Sequence, residues 1–268
     1  MDPRRLYSAL VFIPLLYIGI RYAPPWLFSL LIGAVALFAL WEFFSLYFSE
    51  THSILAKSLS CLIASLLLMA MHNGLPKILI AGLLGIVSII LAGFFLAPKA
   101  IKERLPMPVV YIFGILYVGL LLGHYVLLRN FENGVALVFF AIIVTWLSDT
   151  GGFFIGKSMG KHSLAPTLSP KKTIEGLLGG VVFSVIGAII CQFTFAPFFS
   201  LGQCVILGVG LALLGALGDL AESAIKRSVN VKDSGTIIPG HGGVLDRVDS
   251  LLFTGPAMYY YVMFSYPS

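Results

Sequence analysis

Charge is the scarcest property of this 268-residue chain, because only 11% of its residues are charged while 59% are hydrophobic. Soluble domains are typically about 25% charged and about 45–50% apolar. A chain with so little charge cannot cover a water-facing surface, which excludes an ordinary soluble domain. We therefore predict an all-α fold, a polytopic bundle of helices that has the bilayer as its main solvent.

Paired cysteines are also lacking. The three cysteines, Cys61, Cys191 and Cys204, lie singly inside apolar runs. No two of them have the spacing of a metal or redox motif, so we expect neither a disulfide nor a cysteine metal site. We interpret them as packing residues.

Apolar runs bounded by proline, glycine and charge are long enough to cross a bilayer, which takes about 17–25 residues per helix. We predict nine spans, at 6–21, 25–48, 54–72, 77–97, 107–128, 134–149, 177–196, 201–218 and 250–265. The first five form an N-terminal region, residues 1–130. Residues 131–268 form a catalytic region with two polar loops, 150–176 and 219–249.

The basic residues predict the orientation of these spans. With nine alternating spans, 14 of the 17 Lys and Arg residues fall on the side of the N-terminus and the two long loops, and three fall on the other. Cationic loops remain cytoplasmic. We therefore predict that the N-terminus and both loops face the cytoplasm.

Acidic residues concentrate in and beside the two loops, which hold seven of the 12 in the chain. Asp219 and Glu222 share one helix face with Lys226, and Asp246 shares another with Asp249. Self-paired charges on an interfacial helix would explain the first group, and stabilisation of a helix N-terminus the second. Carboxylates at the ends of neighbouring spans can instead converge on Mg²⁺, which prefers hard oxygen ligands.

Glycine and basic residues accompany these carboxylates. Glycines such as Gly242 and Gly243 let backbone amides approach an anion. Nearby cations suit phosphate and are Lys226, Arg227, Lys232 and Arg247. Together the pattern favours metal-assisted phosphate chemistry at a membrane surface.

The first loop contains a misleading motif. Gly151–Ser158 fits G-x-x-x-x-G-K-[ST], but a phosphate-binding loop requires a preceding strand and a parallel α/β unit. This chain has no α/β alternation, so we predict that the segment is not such a loop. The following "SPKKTIEG" predicts a turn and then a helix start capped by Thr173.

Glu42 lies near the end of the second predicted span. A carboxylate within a membrane is costly, which favours a functional role. A side chain that reaches the interface, or a buried hydrogen bond, would explain it equally well.

The segment from Ser223 to Ser250 resembles the signature of the phosphatidate cytidylyltransferases, also called CDP-diacylglycerol synthases. The matching positions are Ser223, Lys226, Arg227, Lys232, Asp233, His241, Gly242, Gly243, Asp246, Arg247 and Asp249. The 148–176 segment is similar to the family at Asp149, Gly156, Gly160, Lys161, Ser169, Pro170, Lys172, Thr173 and Gly176. The spans before it match only in being hydrophobic.

The resemblance implies a membrane enzyme that makes CDP-diacylglycerol and pyrophosphate from CTP and phosphatidate with Mg²⁺, and it leaves a second cation open. It implies that Asp219, Asp246 and Asp249 bind metal, and that Lys226 joins them in catalysis. Which of Asp246 and Asp249 is the direct ligand is left open. The implied substrate-binding residues are Ser223, Arg227, Lys232, His241, Gly242, Gly243, Arg247, Asp149, Lys161 and Lys172.

The resemblance also implies a location in the bacterial cell (inner) membrane with a cytoplasmic active site. We expect membrane lipid as a partner and no nucleic acid, and a homodimer follows from the resemblance alone.

Two alternatives remain for the function. A CTP-dependent polyprenol or lipid kinase would use the same nucleotide but release CDP rather than pyrophosphate. An ion or phosphate transporter usually has its site near the bilayer midplane, whereas these carboxylates lie at the ends of predicted spans.

Overall fold

The computed structural model describes residues 13–48, 54–74, 77–96, 107–235 and 242–265. Within these ranges the chain forms helices, their connecting turns and a single short hairpin. The predicted all-α class is therefore confirmed.

Nine α-helices follow one another along the described residues. They are α1 Pro25–Tyr47, α2 Ile54–His72, α3 Lys77–Leu96, α4 Met107–Gly114, α5 Leu121–Arg129, α6 Gly134–Met159, α7 Ile174–Thr194, α8 Leu201–Ser228 and α9 Leu245–Ser265. A π-helical segment, Ile115–Leu120, joins α4 to α5. Residues 13–21 are helical as well.

Six helical segments among the described residues are long and apolar enough to cross a membrane: α1, α2, Met107–Arg129, α6, α7 and α8. Large apolar side chains are exposed on such helices, for example Leu55 at 84% and Phe193 at 73%. Surfaces of this kind suit lipid rather than water, and the chain is an integral membrane protein.

Three of the nine predicted spans are not among these six segments. The predicted spans 77–97 and 250–265 fall on α3 and α9, which are helical but lie outside the set of six. The predicted span 6–21 lies partly outside the described residues. Nine is therefore an approximate number of spans.

The polar region after residue 149 differs from the prediction. Helix α6 continues to Met159 instead of ending in a loop, so Gly151–Ser158 is helical. The rejection of a phosphate-binding loop is confirmed. Beyond α6, strands β1 Ser163–Ala165 and β2 Ser169–Thr173 pair in an antiparallel hairpin.

Helix α7 begins directly after this hairpin. The Thr173 hydroxyl accepts a hydrogen bond from the Gly176 N–H at 3.1 Å, which confirms the predicted cap. Glu175 accepts hydrogen bonds from the backbone N–H groups of Lys161 and His162 at 3.0 and 3.2 Å. These contacts fix the hairpin against the first turn of α7.

Small residues let α6 and α7 pack closely. A Cβ atom at Gly151 would lie 2.6 Å from the Phe183 side chain, and one at Gly180 would lie 2.9 Å from the Ser148 carbonyl oxygen. Close backbone approach through small residues is the usual way in which helices associate in membranes. The packing holds β2, and with it Lys172, in a defined place.

The chain divides into two compact units. The first unit comprises residues 1–130 and 224–248, and the second comprises residues 131–223 and 249–268. The boundaries inside the C-terminal region fall within α8 and α9.

The first unit has an aromatic core around α1. Phe43 packs against Phe113 and Tyr117, with ring centroids 5.8 and 6.2 Å apart. A Cβ atom at Gly114 would lie 2.7 Å from the rings of Phe43 and Phe44, so the glycine leaves space for them. This packing fixes the end of α1 that carries Glu42.

Candidate functional site

Three carboxylates of the second unit meet in what we call the acidic cluster: Asp219 and Glu222 of α8 and Asp249 of α9. One oxygen from each lies within 4.8 Å of the others. Asp219 and Glu222 are three residues apart, which places them on one helix face. Glu222 is buried, and the other two are half-buried.

A glycine allows these two helices to approach each other at the cluster. A Cβ atom at Gly218 would lie 2.5 Å from the Asp249 carbonyl oxygen and 3.1 Å from the Phe253 ring. A backbone oxygen cannot move aside as the end of a side chain can. Glycine at position 218 is therefore required for Asp219 to lie beside Asp249.

Lys172 brings a positive charge to the acidic cluster. Its Nζ lies 2.6 Å from Oδ2 of Asp219, and the two side chains are 22% and 38% exposed. Lys172 lies at the end of β2, immediately before the cap residue Thr173. The packing of the hairpin on α7 thus places the Lys172 ammonium group beside Asp219.

Asp149 of α6 and Ser250 of α9 extend the polar surroundings. The Ser250 hydroxyl donates a hydrogen bond to Oδ1 of Asp149 at 3.4 Å. Burial and the adjacent Asp219 carboxylate raise the pKa of Asp249 above its ordinary value. Both effects disfavour the ionised form, which a bound cation would favour.

The acidic cluster fits a hard divalent cation. Carboxylate oxygens from Asp219, Glu222 and Asp249 are the donors that Mg²⁺ and Ca²⁺ prefer. Sequence reasoning assigned Asp219 and Asp249 to a metal site but left Glu222 out. The signal was present, because Glu222 lies three residues after Asp219 on the same helix face.

A second group of predicted site residues lies in the first unit, around Asp246. The Asp246 carboxylate accepts hydrogen bonds from Lys226 Nζ at 2.6 Å and from the Gly243 and Ser234 N–H groups at 2.9 and 3.1 Å. Gly242 has a φ of 81°, and a Cβ atom there would lie 2.8 Å from Oδ2 of Asp246. Only glycine suits that position.

The structure describes most of the other predicted site residues. Arg227 donates a hydrogen bond from Nη1 to the Val231 carbonyl at 2.9 Å. Ser223 is half-buried. Exposed side chains belong to Lys161, Lys232 and Arg247. His241 lies outside the described residues. The roles assigned to these residues, and to Asp246 as a metal ligand, stay predictions.

Glu42 also belongs to the first unit. It is 3% exposed and accepts a hydrogen bond from the Leu245 N–H at 2.8 Å. Of the explanations that the sequence left open, a buried hydrogen bond is therefore confirmed.

The fold and the acidic cluster define an integral membrane protein with carboxylates that could hold a metal ion beside a lysine. Residues 3–265 match the cytidylyltransferase family. The chain belongs to that family, and the resemblance drawn from its C-terminal motifs is confirmed.

Curated relatives carry a more specific name. The phosphatidate cytidylyltransferase of Bacillus subtilis strain 168 is 42% identical over 146 residues, 54% of each chain. That of Staphylococcus saprophyticus is 43% identical over 145 residues, 54% of this chain and 55% of the relative. That of Staphylococcus aureus strain COL is 43% identical over 147 residues, with the same shares. The matched part spans about half the length of these relatives.

Proposed function

We propose that this protein is a phosphatidate cytidylyltransferase, which converts CTP and phosphatidate to CDP-diacylglycerol and pyrophosphate. The observation that carries the proposal is the acidic cluster with Lys172 beside it, in a member of the cytidylyltransferase family. The names of the relatives support the same activity.

The reaction makes few demands on acid–base groups. A phosphate oxygen of phosphatidate attacks the α-phosphorus of CTP, and the bond from that phosphorus to the bridging oxygen of the β-phosphate breaks. Pyrophosphate leaves with the electron pair of that bond. The attacking oxygen is already anionic, so the protein mainly has to align the two phosphates and neutralise their repulsion.

Mg²⁺ is the cofactor that suits this site. Asp219, Glu222 and Asp249 would hold it, and Asp246 stays a predicted further ligand. When bound, the cation neutralises charge on the nucleotide phosphates and orients them. The number of cations is left open.

Lys172 would serve the nucleotide. Its ammonium group pairs with Asp219 at 2.6 Å, and its side chain is 22% exposed although Nζ itself is buried, so a phosphate would bind there by displacing the Asp219 carboxylate from Nζ. A lysine in such a place binds the phosphates of CTP or the leaving pyrophosphate as a point charge. We assign the same kind of role to Lys161. Asp149 stays a predicted substrate-binding residue, which as an anion would accept hydrogen bonds rather than bind phosphate. We assign the phosphate of the lipid to a larger set of residues: Ser223, Lys226, Arg227, Lys232 and Arg247.

Gly242 and Gly243 precede α9, and the Gly243 N–H donates to Asp246. Their assignment to substrate binding, with that of His241, stays a prediction. We propose that the site faces the cytoplasm of a bacterial inner membrane, where CTP is available and the phosphatidate headgroup lies at the interface. The expected homodimer and the absence of a nucleic-acid partner stay predictions.

The test uses the full chain purified in detergent with phosphatidate, Mg²⁺ and CTP labelled on the α-phosphate. We expect a labelled CDP-lipid together with pyrophosphate. A labelled CDP product with a newly phosphorylated lipid would instead support the lipid kinase, and the absence of any CTP turnover would contradict the proposed activity.

Site variants make the test specific. We expect Asp219→Ala and Asp246→Ala to abolish turnover while leaving a folded protein. Glu132→Gln is a matched control, because Glu132 is an exposed carboxylate outside both groups of functional residues. Normal turnover by the Asp219 and Asp246 variants would contradict the assigned roles.

A further inference from the structure

Glu42 connects the N-terminal region to the segment that carries Asp246. Its Oε2 accepts a hydrogen bond from the Leu245 N–H at 2.8 Å, across 203 positions of sequence. The Ser234 hydroxyl donates to the same oxygen at 3.5 Å. With 3% exposure, Glu42 is a buried acidic residue on a membrane-spanning helix.

A buried carboxylate in such a helix is costly unless its surroundings compensate it. Leu245 is the first residue of α9, where backbone N–H groups lack partners within the helix. The helix dipole also places partial positive charge at that end. Glu42 therefore receives both a hydrogen bond and a favourable field, and it satisfies a backbone donor that α9 itself cannot.

Two glycines surround the Glu42 carboxylate closely. A Cβ atom at Gly235 would lie 2.7 Å from Oε1, and one at Gly243 would lie 2.5 Å from Oε2. At Gly235 the three nearest heavy atoms all belong to Glu42. The carboxylate therefore fixes how Gly235 and Gly243 approach α1.

The same segment holds Asp246. Ser234 and Gly243, which contact Glu42, also donate their backbone N–H groups to the Asp246 carboxylate at 3.1 and 2.9 Å. Lys226 Nζ also donates to the Asp246 carboxylate, at 2.6 Å. A displacement of the segment from Glu42 would therefore change the donors that orient Asp246.

We propose that Glu42 is a positioning residue, which orients Asp246 and its partner Lys226 by accepting hydrogen bonds from the Leu245 N–H and the Ser234 hydroxyl. Glu42 acts as a hydrogen-bond acceptor on α1, a helix that is distant from α9 in sequence. As far as turnover is concerned, the inference rests on the proposed function, because it assumes that Asp246 and Lys226 take part in the reaction.

The first experiment compares Glu42→Gln with Glu42→Ala. The amide oxygen of glutamine can still accept from the Leu245 N–H, whereas alanine leaves that donor buried without it. We expect Glu42→Ala to lower kcat about tenfold or more and Glu42→Gln to retain activity within about threefold. Equal loss in both variants, or no loss in Glu42→Ala, would overturn the proposal.

A second experiment uses Gly235→Ala, whose added methyl group meets Glu42 before any other residue. We expect this variant to displace the carboxylate and lower kcat in the wild-type background, but to cause little further loss in the Glu42→Ala background. Additive losses would contradict an action through Glu42. If Glu42→Ala is poorly folded, Gly235→Ala alone still tests the contact, and an unchanged kcat in that variant would contradict an action through Glu42.

A third measurement does not depend on activity. Hydrogen exchange followed by mass spectrometry should show faster exchange in the peptide that contains Leu245 for Glu42→Ala, with Glu42→Gln close to wild type. If the wild-type protein makes no CDP-lipid but this pattern is observed, the proposed function fails while the positioning contact stands. Unchanged exchange in Glu42→Ala would overturn the contact itself.

Discussion

In the first unit, the Asp246 carboxylate is surrounded by donors: Lys226 at 2.6 Å and the N–H groups of Gly243 and Ser234. In the second unit, Asp219, Glu222 and Asp249 bring oxygens within 4.8 Å of one another, and Lys172 pairs with Asp219. The carboxylates of both groups come from the same two helices, α8 and α9. The difference lies in what compensates the negative charge.

A carboxylate that is compensated by protein donors contributes to the stability of its fold. A cluster of like charges costs stability until a cation binds. We therefore infer a division of roles, in which the main contribution of Asp246 is to hold a turn in a defined shape and the acidic cluster would hold a metal ion. Four predictions test this division, in order of decreasing effect.

The largest effect should follow the loss of a cluster carboxylate. We expect Asp219→Asn to lower turnover by about a thousandfold, because a neutral amide is a poor ligand for a hard cation and removes charge from the site. Turnover would be measured over a Mg²⁺ titration, with Glu132→Gln as the control. Turnover within tenfold of wild type at the Mg²⁺ concentration that saturates the wild-type protein would refute the cluster as the metal site.

The next prediction concerns stability, and its sign should differ between the two units. Asp246→Asn leaves Lys226 without its anionic partner, which we expect to lower the free energy of unfolding by about 1–3 kcal/mol. Asp249→Asn removes a repelling charge and should raise the melting temperature when a chelator removes divalent cations. Thermal unfolding in detergent measures both. A fall in both variants would contradict the division of roles.

Lys172 should have an intermediate effect. We expect Lys172→Met to raise the KM for CTP about tenfold, since one phosphate contact is lost, without weakening the apparent affinity for Mg²⁺. Lys171 provides the matched control, because it is an exposed lysine on the adjacent position of β2. The same increase for Lys171→Met would show that only the overall charge of the hairpin matters.

The smallest effect is expected at Ser250. Its hydroxyl donates to Asp149 at 3.4 Å, a long hydrogen bond to an exposed carboxylate. Ser250→Ala should therefore change kcat by less than about threefold. A larger loss, measured in the same CTP assay, would indicate that Asp149 depends on this hydroxyl for its orientation.

Local patterns in the sequence were sufficient for much of the fold. The positions of α1, α2, α6, α7 and α8 follow from apolar runs, because a helix in lipid requires about 20 such residues. The cap at Thr173 is equally local. The ends of the helices were less predictable, since α6 continues to Met159 through glycines that have low helix propensity but here allow close packing on α7.

The candidate site was predicted only in part. Residue types and spacing indicated Asp219 and Asp249, because carboxylates at span ends are unusual in so apolar a chain. The inclusion of Glu222 and the pairing of Lys172 with Asp219 depend on how α8, α9 and the hairpin pack in the second unit. Such contacts join residues that are distant in sequence, and no local pattern encodes them.

By itself, the sequence determined that this protein is an integral membrane protein of helices with a polar, carboxylate-rich C-terminal region, because composition and apolar periodicity act locally and dictate the solvent of each segment. Its ordered C-terminal motifs determined the family. Only the tertiary structure decided which charges meet. Lys226 compensates Asp246, Lys172 approaches the acidic cluster, and Glu42 binds the Leu245 N–H from the other end of the chain. Those pairings follow from the packing of segments that are distant in sequence, and composition and local periodicity do not specify such contacts.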